Sequence, residues 1–151
     1  MMVADELLFV VDKMKRLMLA LVFMVTMVPA LQAGEKSSPD AKVYIVWPRD
    51  GAVIKGGKFW LRMGLKGMGI APAGVEFAGT GHHHVIIDSE LPPMDEAIPN
   101  DANHLHFGKG QSEARIELPK GKHTIQLLFA DKGHVPHDPP LSSPKIAITV
   151  K

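Results

Sequence analysis

The chain has 151 residues, 46% of them hydrophobic, a formal net charge of +1 and no cysteine. So even a charge balance leaves no electrostatic footprint for nucleic acid or for an anionic membrane surface. The lack of cysteine excludes disulfides, thiolate metal sites and a cysteine nucleophile.

In chain order, the first 33 residues read as a secretory signal peptide. Lys15 and Arg16 form a short basic segment, Leu17 to Val28 an apolar run, and Pro29-Ala30-Leu31-Gln32-Ala33 leads to a cut before Gly34. A dozen apolar residues are too few to span a bilayer, although an uncleaved anchor is the competing reading. Residues 1–13 precede a better start at Met14 and read as a mis-assigned extension. The leader takes Lys13, Lys15 and Arg16 away with Asp5, Glu6 and Asp12, so its removal leaves the net charge unchanged. A periplasmic or secreted location follows, with no membrane attachment beyond the leader. What remains, residues 34–151, is enough for one β-sandwich domain.

Val43-Tyr44-Ile45-Val46-Trp47 is dense in β-branched and aromatic residues and reads as a strand. Pro48-Arg49-Asp50-Gly51 is a turn, Ala52 to Ile54 a short strand and Gly56-Gly57 a second turn. From Lys58 to Leu65 the pattern alternates, with Phe59, Leu61 and Met63 on one face and Lys58, Trp60, Arg62 and Gly64 on the other. Residues 67–80 read as a loop. The segment Gly81 to Asp88 is a strand carrying His82, His83 and His84. Pro92, Pro93 and Pro99 make the next stretch an irregular connection. Ser112 to Leu118 and His123 to Ala130 are strands around a hairpin turn at Pro119-Lys120-Gly121. A loop from Asp131 to Pro144 holds four of the twelve prolines, and Lys145 to Val150 closes the chain. About seven short strands with no helical period predict an immunoglobulin-like antiparallel β-sandwich.

Five of the eight histidines lie between His82 and His106. Alternate side chains of a strand share a face, so His82, His84, Ile86 and Asp88 line one side. Residues two apart sit roughly 6.5–7 Å from each other, close enough for both imidazoles to reach one ion. His104 and His106 repeat the pattern, with Leu105 and Phe107 directed toward a core. The four-nitrogen metal site predicted on these grounds is His82, His84, His104 and His106, with His134, His137, Met68 and Asp88 as accessory candidates. Neutral imidazoles suit copper, zinc, nickel and iron, whereas calcium and magnesium want oxygen. For an exported chain without thiolates copper ranks first and zinc second.

Bland roles compete at each position. His83 shares a face with Val85 and Ile87, and His123 with Ile125, Leu127 and Phe129, so both read as hydrogen-bonded core histidines. His134 and His137 read as solvated loop residues, unless the loop folds back over the site. Met63 and, more often than not, Met68 would pack in the core. The alternative for the four paired histidines is a buried polar network with carboxylates such as Asp88 and Asp131. No nucleophile elbow occurs, and Gly108-Lys109-Gly110-Gln111 lacks phosphate-loop spacing and reads as a turn.

Several segments together resemble a bacterial family catalogued as domain of unknown function 4399. They are Gly64 to Gly74, Gly81-His82-His83-His84-Val85-Ile86-Ile87-Asp88, His104-Leu105-His106-Phe107-Gly108-Lys109-Gly110-Gln111, Leu118 to Thr124 and Asp131 to His134. The resemblance implies a small exported domain and carries no activity with it. Three functions then compete. The first is copper handling or storage; the second is a structural or interaction module with a protein partner in the envelope. The third is a small metalloenzyme, for which Asp88 or Asp131 would supply a supporting carboxylate.

Overall fold

The computed structural model describes residues 34–151; the leader expected over 1–33, with its alternative start at Met14, lies outside the described residues. Ten strands form: β1 (Lys42–Trp47), β2 (Val53–Ile54), β3 (Lys58–Lys66), β4 (Gly69–Ile70), β5 (Thr80–Ile87), β6 (His104–His106), β7 (Glu113–Glu117), β8 (Gly121–Ala130), β9 (Pro136–Ser142) and β10 (Ile146–Val150). Among the described residues no helix is long and apolar enough to cross a membrane.

The strands build two sheets, one of three strands in the order β1-β3-β7 and one of seven along β2-β10-β8-β5-β4, with β6 on β5 and β9 on β8. Most pairings are antiparallel; β2 with β10 and β4 with β5 are parallel. The two-residue alternation decides what lies between the sheets. Phe59, Leu61 and Met63 of β3 meet Val85 and Ile87 of β5 and Ile125, Leu127 and Phe129 of β8 in one apolar cluster. Each such side chain contributes roughly 1.5–3 kcal/mol on full burial. The all-β sandwich expected from the alternation is what forms.

Three strands go beyond the seven expected. β4 has two residues, too short for a period to register. β6 is the three-residue His104–His106 segment, whose alternation the sequence shows but which is not counted among the seven. β9 runs through the Pro-rich segment expected to be a loop. β8 is the one named strand it pairs with among the described residues, and a single parallel bridge joins its Asp138 to Lys36. Proline cannot donate to a ladder, so an edge position is the one a sheet can offer it.

The seven-stranded sheet is covered on its second face as well. The irregular connection after Asp88 folds back so that Ile98, Leu91 and Met94 pack on Ile86, Leu128 and Ala130. Strand β5 therefore has a core on both sides, and every residue from Gly81 to Ile87 is buried. The histidine strand is the most enclosed strand of the molecule.

Candidate metal centre

Alternation along β5 turns His82, His84 and Ile86 to the outer face and His83, Val85 and Ile87 to the inter-sheet core. β6 lies antiparallel beside it, with His106 opposite His84, Leu105 opposite Val85 and His104 opposite Ile86. On the other side His82 faces Ala130, the last residue of β8. There the chain reverses. The Asp131 carboxylate accepts hydrogen bonds from the backbone of Gly133 at 2.8 Å and Val135 at 3.0 Å, and Asp131 N donates to Val135 O. This tight turn holds His134 at φ 68°, a left-handed conformation uncommon for a non-glycine residue. Ile98 N donates to His134 O and pins the turn from the far side. The imidazole of His134 is thereby folded over β5.

The result is a cluster of His82, His84, His106 and His134, whose nearest ring nitrogens all lie within 4.8 Å of one another. His82 Nε2 is its hub, at 3.1 Å from His84 Nε2, 3.2 Å from His106 Nε2 and 3.2 Å from His134 Nδ1. His82 and His84 are buried, while His106 and His134 are half-buried and form the open side. Gly108 makes room: a Cβ there would stand 2.3 Å from the His106 ring.

Proton accounting shows what such a hub can do. One imidazole nitrogen carries either one proton or one lone pair. Facing three other ring nitrogens, His82 Nε2 can take part in one good hydrogen bond, as donor or as acceptor, and the other two contacts are left without a matching proton and lone pair. A cation at the common centre removes the conflict. Burial, and then the mutual repulsion of the rings, also keeps protons away. His84 is lowered to about 2 by burial and by neighbouring His82, His106 and His134. His82 is lowered to about 4, first by burial and then by His134 and His106, against the pull of Asp131. His106 is lowered by burial and by His134. Near neutral pH these are neutral donors, the form a transition metal binds. The Nδ1 atoms of His82 and His84 are buried without a partner among the described residues. No hydrogen bond at Nδ1 helps orient those rings, and each unpaired group costs about 1–3 kcal/mol.

The remaining candidates are placed elsewhere. His104 shares the outer face, but the register sets it one pair beyond His84, where its Nδ1 lies 2.9 Å from Asp101 Oδ1. That hydrogen bond, with one from Asn103 N, holds the Asp101 carboxyl below its usual range. His137 is buried in β9 with its Nε2 donating to Thr80 O and its ring tilted against Phe129. Met68 packs on the inter-sheet core. Asp88 ends β5 at φ 51°, which turns its carboxylate away from the cluster. Its Oδ2 lies 2.6 Å from His123 Nδ1, and its Oδ1 accepts from Thr124 N at 2.7 Å.

Two core histidines differ from each other. His123 is hydrogen-bonded as expected, and its second nitrogen donates to Pro119 O at 2.9 Å. His83 is in the core as expected, yet neither of its nitrogens has a partner among the described residues. Its ring stands edge-on to Phe129, and burial lowers its pKa to about 4. The side chains that share its face of β5, Val85 and Ile87, are apolar and belong to the inter-sheet cluster, so none of them can partner the ring. The residue hardest to place from sequence is His134. Its one local signal is Asp131 two residues before Gly133, the chemistry of an Asx turn.

Residues 61–151, more than half the chain, match the family model described as Domain of unknown function (DUF4399), and the chain belongs to that family. All four clustered histidines lie inside the match. No curated protein and no solved structure shows a match to it.

Proposed function

We propose that this member of the family is an exported metal-binding protein that holds one transition-metal ion on His82, His84, His106 and His134, copper first and zinc second, in a handling or storage role. The observation that carries the reading is the convergence of three ring nitrogens on His82 Nε2 at 3.1–3.2 Å. An all-imidazole set without a carboxylate ligand argues against calcium and magnesium, which take oxygen. It suits copper and zinc, and divalent copper heads the usual affinity order. The leader-like segment over 1–33 and the lack of cysteine support an envelope or secreted location, where copper reaches exposed ligands and no thiolate competes. The half-buried His106 and His134 leave a route by which an ion could enter, and the buried His82 and His84 would keep it. The metal would supply a positive charge at the centre of the four imidazoles.

The test is elemental mass spectrometry of the protein purified from its native host without an affinity tag. Near-stoichiometric copper or zinc is expected, lost in His82→Ala and retained in His104→Ala. A metal-free protein that also takes up neither ion on titration would overturn the reading and favour the buried-network alternative.

A further inference from the structure

The cluster has a definite shape as well as a composition. Its six ring-centre separations are 4.9 Å (His82–His84), 5.0 Å (His82–His106), 5.1 Å (His82–His134), 5.0 Å (His84–His106), 5.8 Å (His84–His134) and 4.6 Å (His106–His134). With metal–nitrogen bonds near 2.0–2.1 Å, four imidazoles in a tetrahedron have ring centres about 5.2 Å apart on every edge. In a square the same rings stand about 4.5 Å apart along the sides and about 6.4 Å across the diagonals. The longest pair, His84–His134 at 5.8 Å, lies midway between the two values, but a square needs two diagonals, and the opposite pair, His82–His106, is only 5.0 Å. The three nitrogen distances from His82 Nε2, 3.1–3.2 Å, are near a tetrahedral edge of about 3.3 Å, whereas a square would put one of those three neighbours about 4.1 Å away. The four ligand nitrogens as a set lie within 4.8 Å of one another.

The topology explains the shape and resists its flattening. His82 and His84 come from one strand, His106 from its cross-strand partner, and His134 caps them from the turn above. The two β5 ligands cannot shift without moving a strand held by β8 on one side and by β4 and β6 on the other. The His134 turn is the freer element, but the Asp131 carboxylate and Ile98 N fix it.

Resting on the reading of this cluster as a metal centre, we infer that it is built for a tetrahedral ion with a filled d shell, Zn(II) or Cu(I), and imposes on Cu(II) an arrangement that ion does not prefer. A filled shell brings no geometric demand of its own, whereas Cu(II) with nitrogen donors favours a tetragonal plane. Copper carried here is therefore carried best as Cu(I).

The probes are Co(II) and Cu(II), each added alone to the metal-free protein and followed by desalting. Tetrahedral Co(II) should give an intense blue spectrum, at least an order of magnitude stronger per ion than the aqueous ion. Retained Cu(II) should show a parallel hyperfine splitting well below that of a planar tetra-imidazole complex. His134→Ala, which removes the capping ligand, should bleach the cobalt spectrum while some metal stays bound. Pale, six-coordinate Co(II) with tetragonal Cu(II) would overturn the tetrahedral inference and leave the metal centre standing. Failure to retain either ion, together with zinc, would overturn both.

Discussion

A lone histidine and a cluster of four lie at opposite ends of β5, and they are built on opposite terms. At its C-terminal end His123 meets an acceptor on each nitrogen, Asp88 Oδ2 and Pro119 O, and its pKa is raised, first by the hydrogen bond to Asp88. At its N-terminal end four imidazoles face one another, and burial lowers three of them. The first is arranged to hold a proton and the second to refuse one. What separates them is the neighbour supplied by the fold, because the side chain is the same. An imidazole beside a carboxylate is a finished structural contact, whereas imidazoles beside imidazoles form a cluster that could hold a metal ion.

The comparison breaks most readily at the metal. Saturating zinc or copper should raise thermal stability, by about 4 kcal/mol at a free concentration a thousand times the dissociation constant. Calorimetry with and without chelator checks this, and His84→Ala should abolish the difference. A chelator-insensitive transition in a metal-loaded sample would contradict it.

His83 sharpens the contrast, since it has neither partner nor cluster. Replacing it by leucine removes two unpaired nitrogens from the core. The gain expected is on the order of 1–3 kcal/mol at neutral pH, read as a higher denaturant midpoint. A loss of that size would mean that a nitrogen of His83 is in fact bonded.

Asp88→Asn should weaken the opposite end of the strand. Hydrogen bonds to charged groups are worth about 1.5–3 kcal/mol, and partial exposure of Asp88 reduces this to about 1 kcal/mol. The sign of the pH dependence follows from the raised pKa of His123. Its stabilisation is fully present below the unfolded value near 6.5 and is lost as pH rises through the higher folded value. Denaturation curves at pH 6 and pH 9 should therefore show the larger effect of Asp88→Asn at pH 6. The smallest effect on stability is expected for His104→Ala, because its partner Asp101 is solvent-exposed and such pairs contribute little. Its metal stoichiometry should be unchanged, and loss of the metal would bring His104 back into the centre.

Much of the fold was legible in local patterns. The alternation of Phe59, Leu61 and Met63, and of Ile125, Leu127 and Phe129, is a property of each strand alone, and it survived as the inter-sheet core. β9 was hidden because its prolines mask the strand signal. Its place at the sheet edge, which tolerates them, depends on β8. The absence of partners for His83 was equally illegible, since it depends on what another sheet presents to β5.

By itself, the sequence determined that His82 and His84 share one face and that His104 and His106 share another, because the pleat of a strand alternates residue by residue. Only the tertiary structure decided which of them meet. The antiparallel register of β6 on β5 sets His106, and not His104, beside His84. The Asp131 turn brings in His134 from fifty residues beyond His84. Side-chain direction is fixed by bonds within a residue, while register and loop closure are fixed by hydrogen bonds between segments distant in the chain.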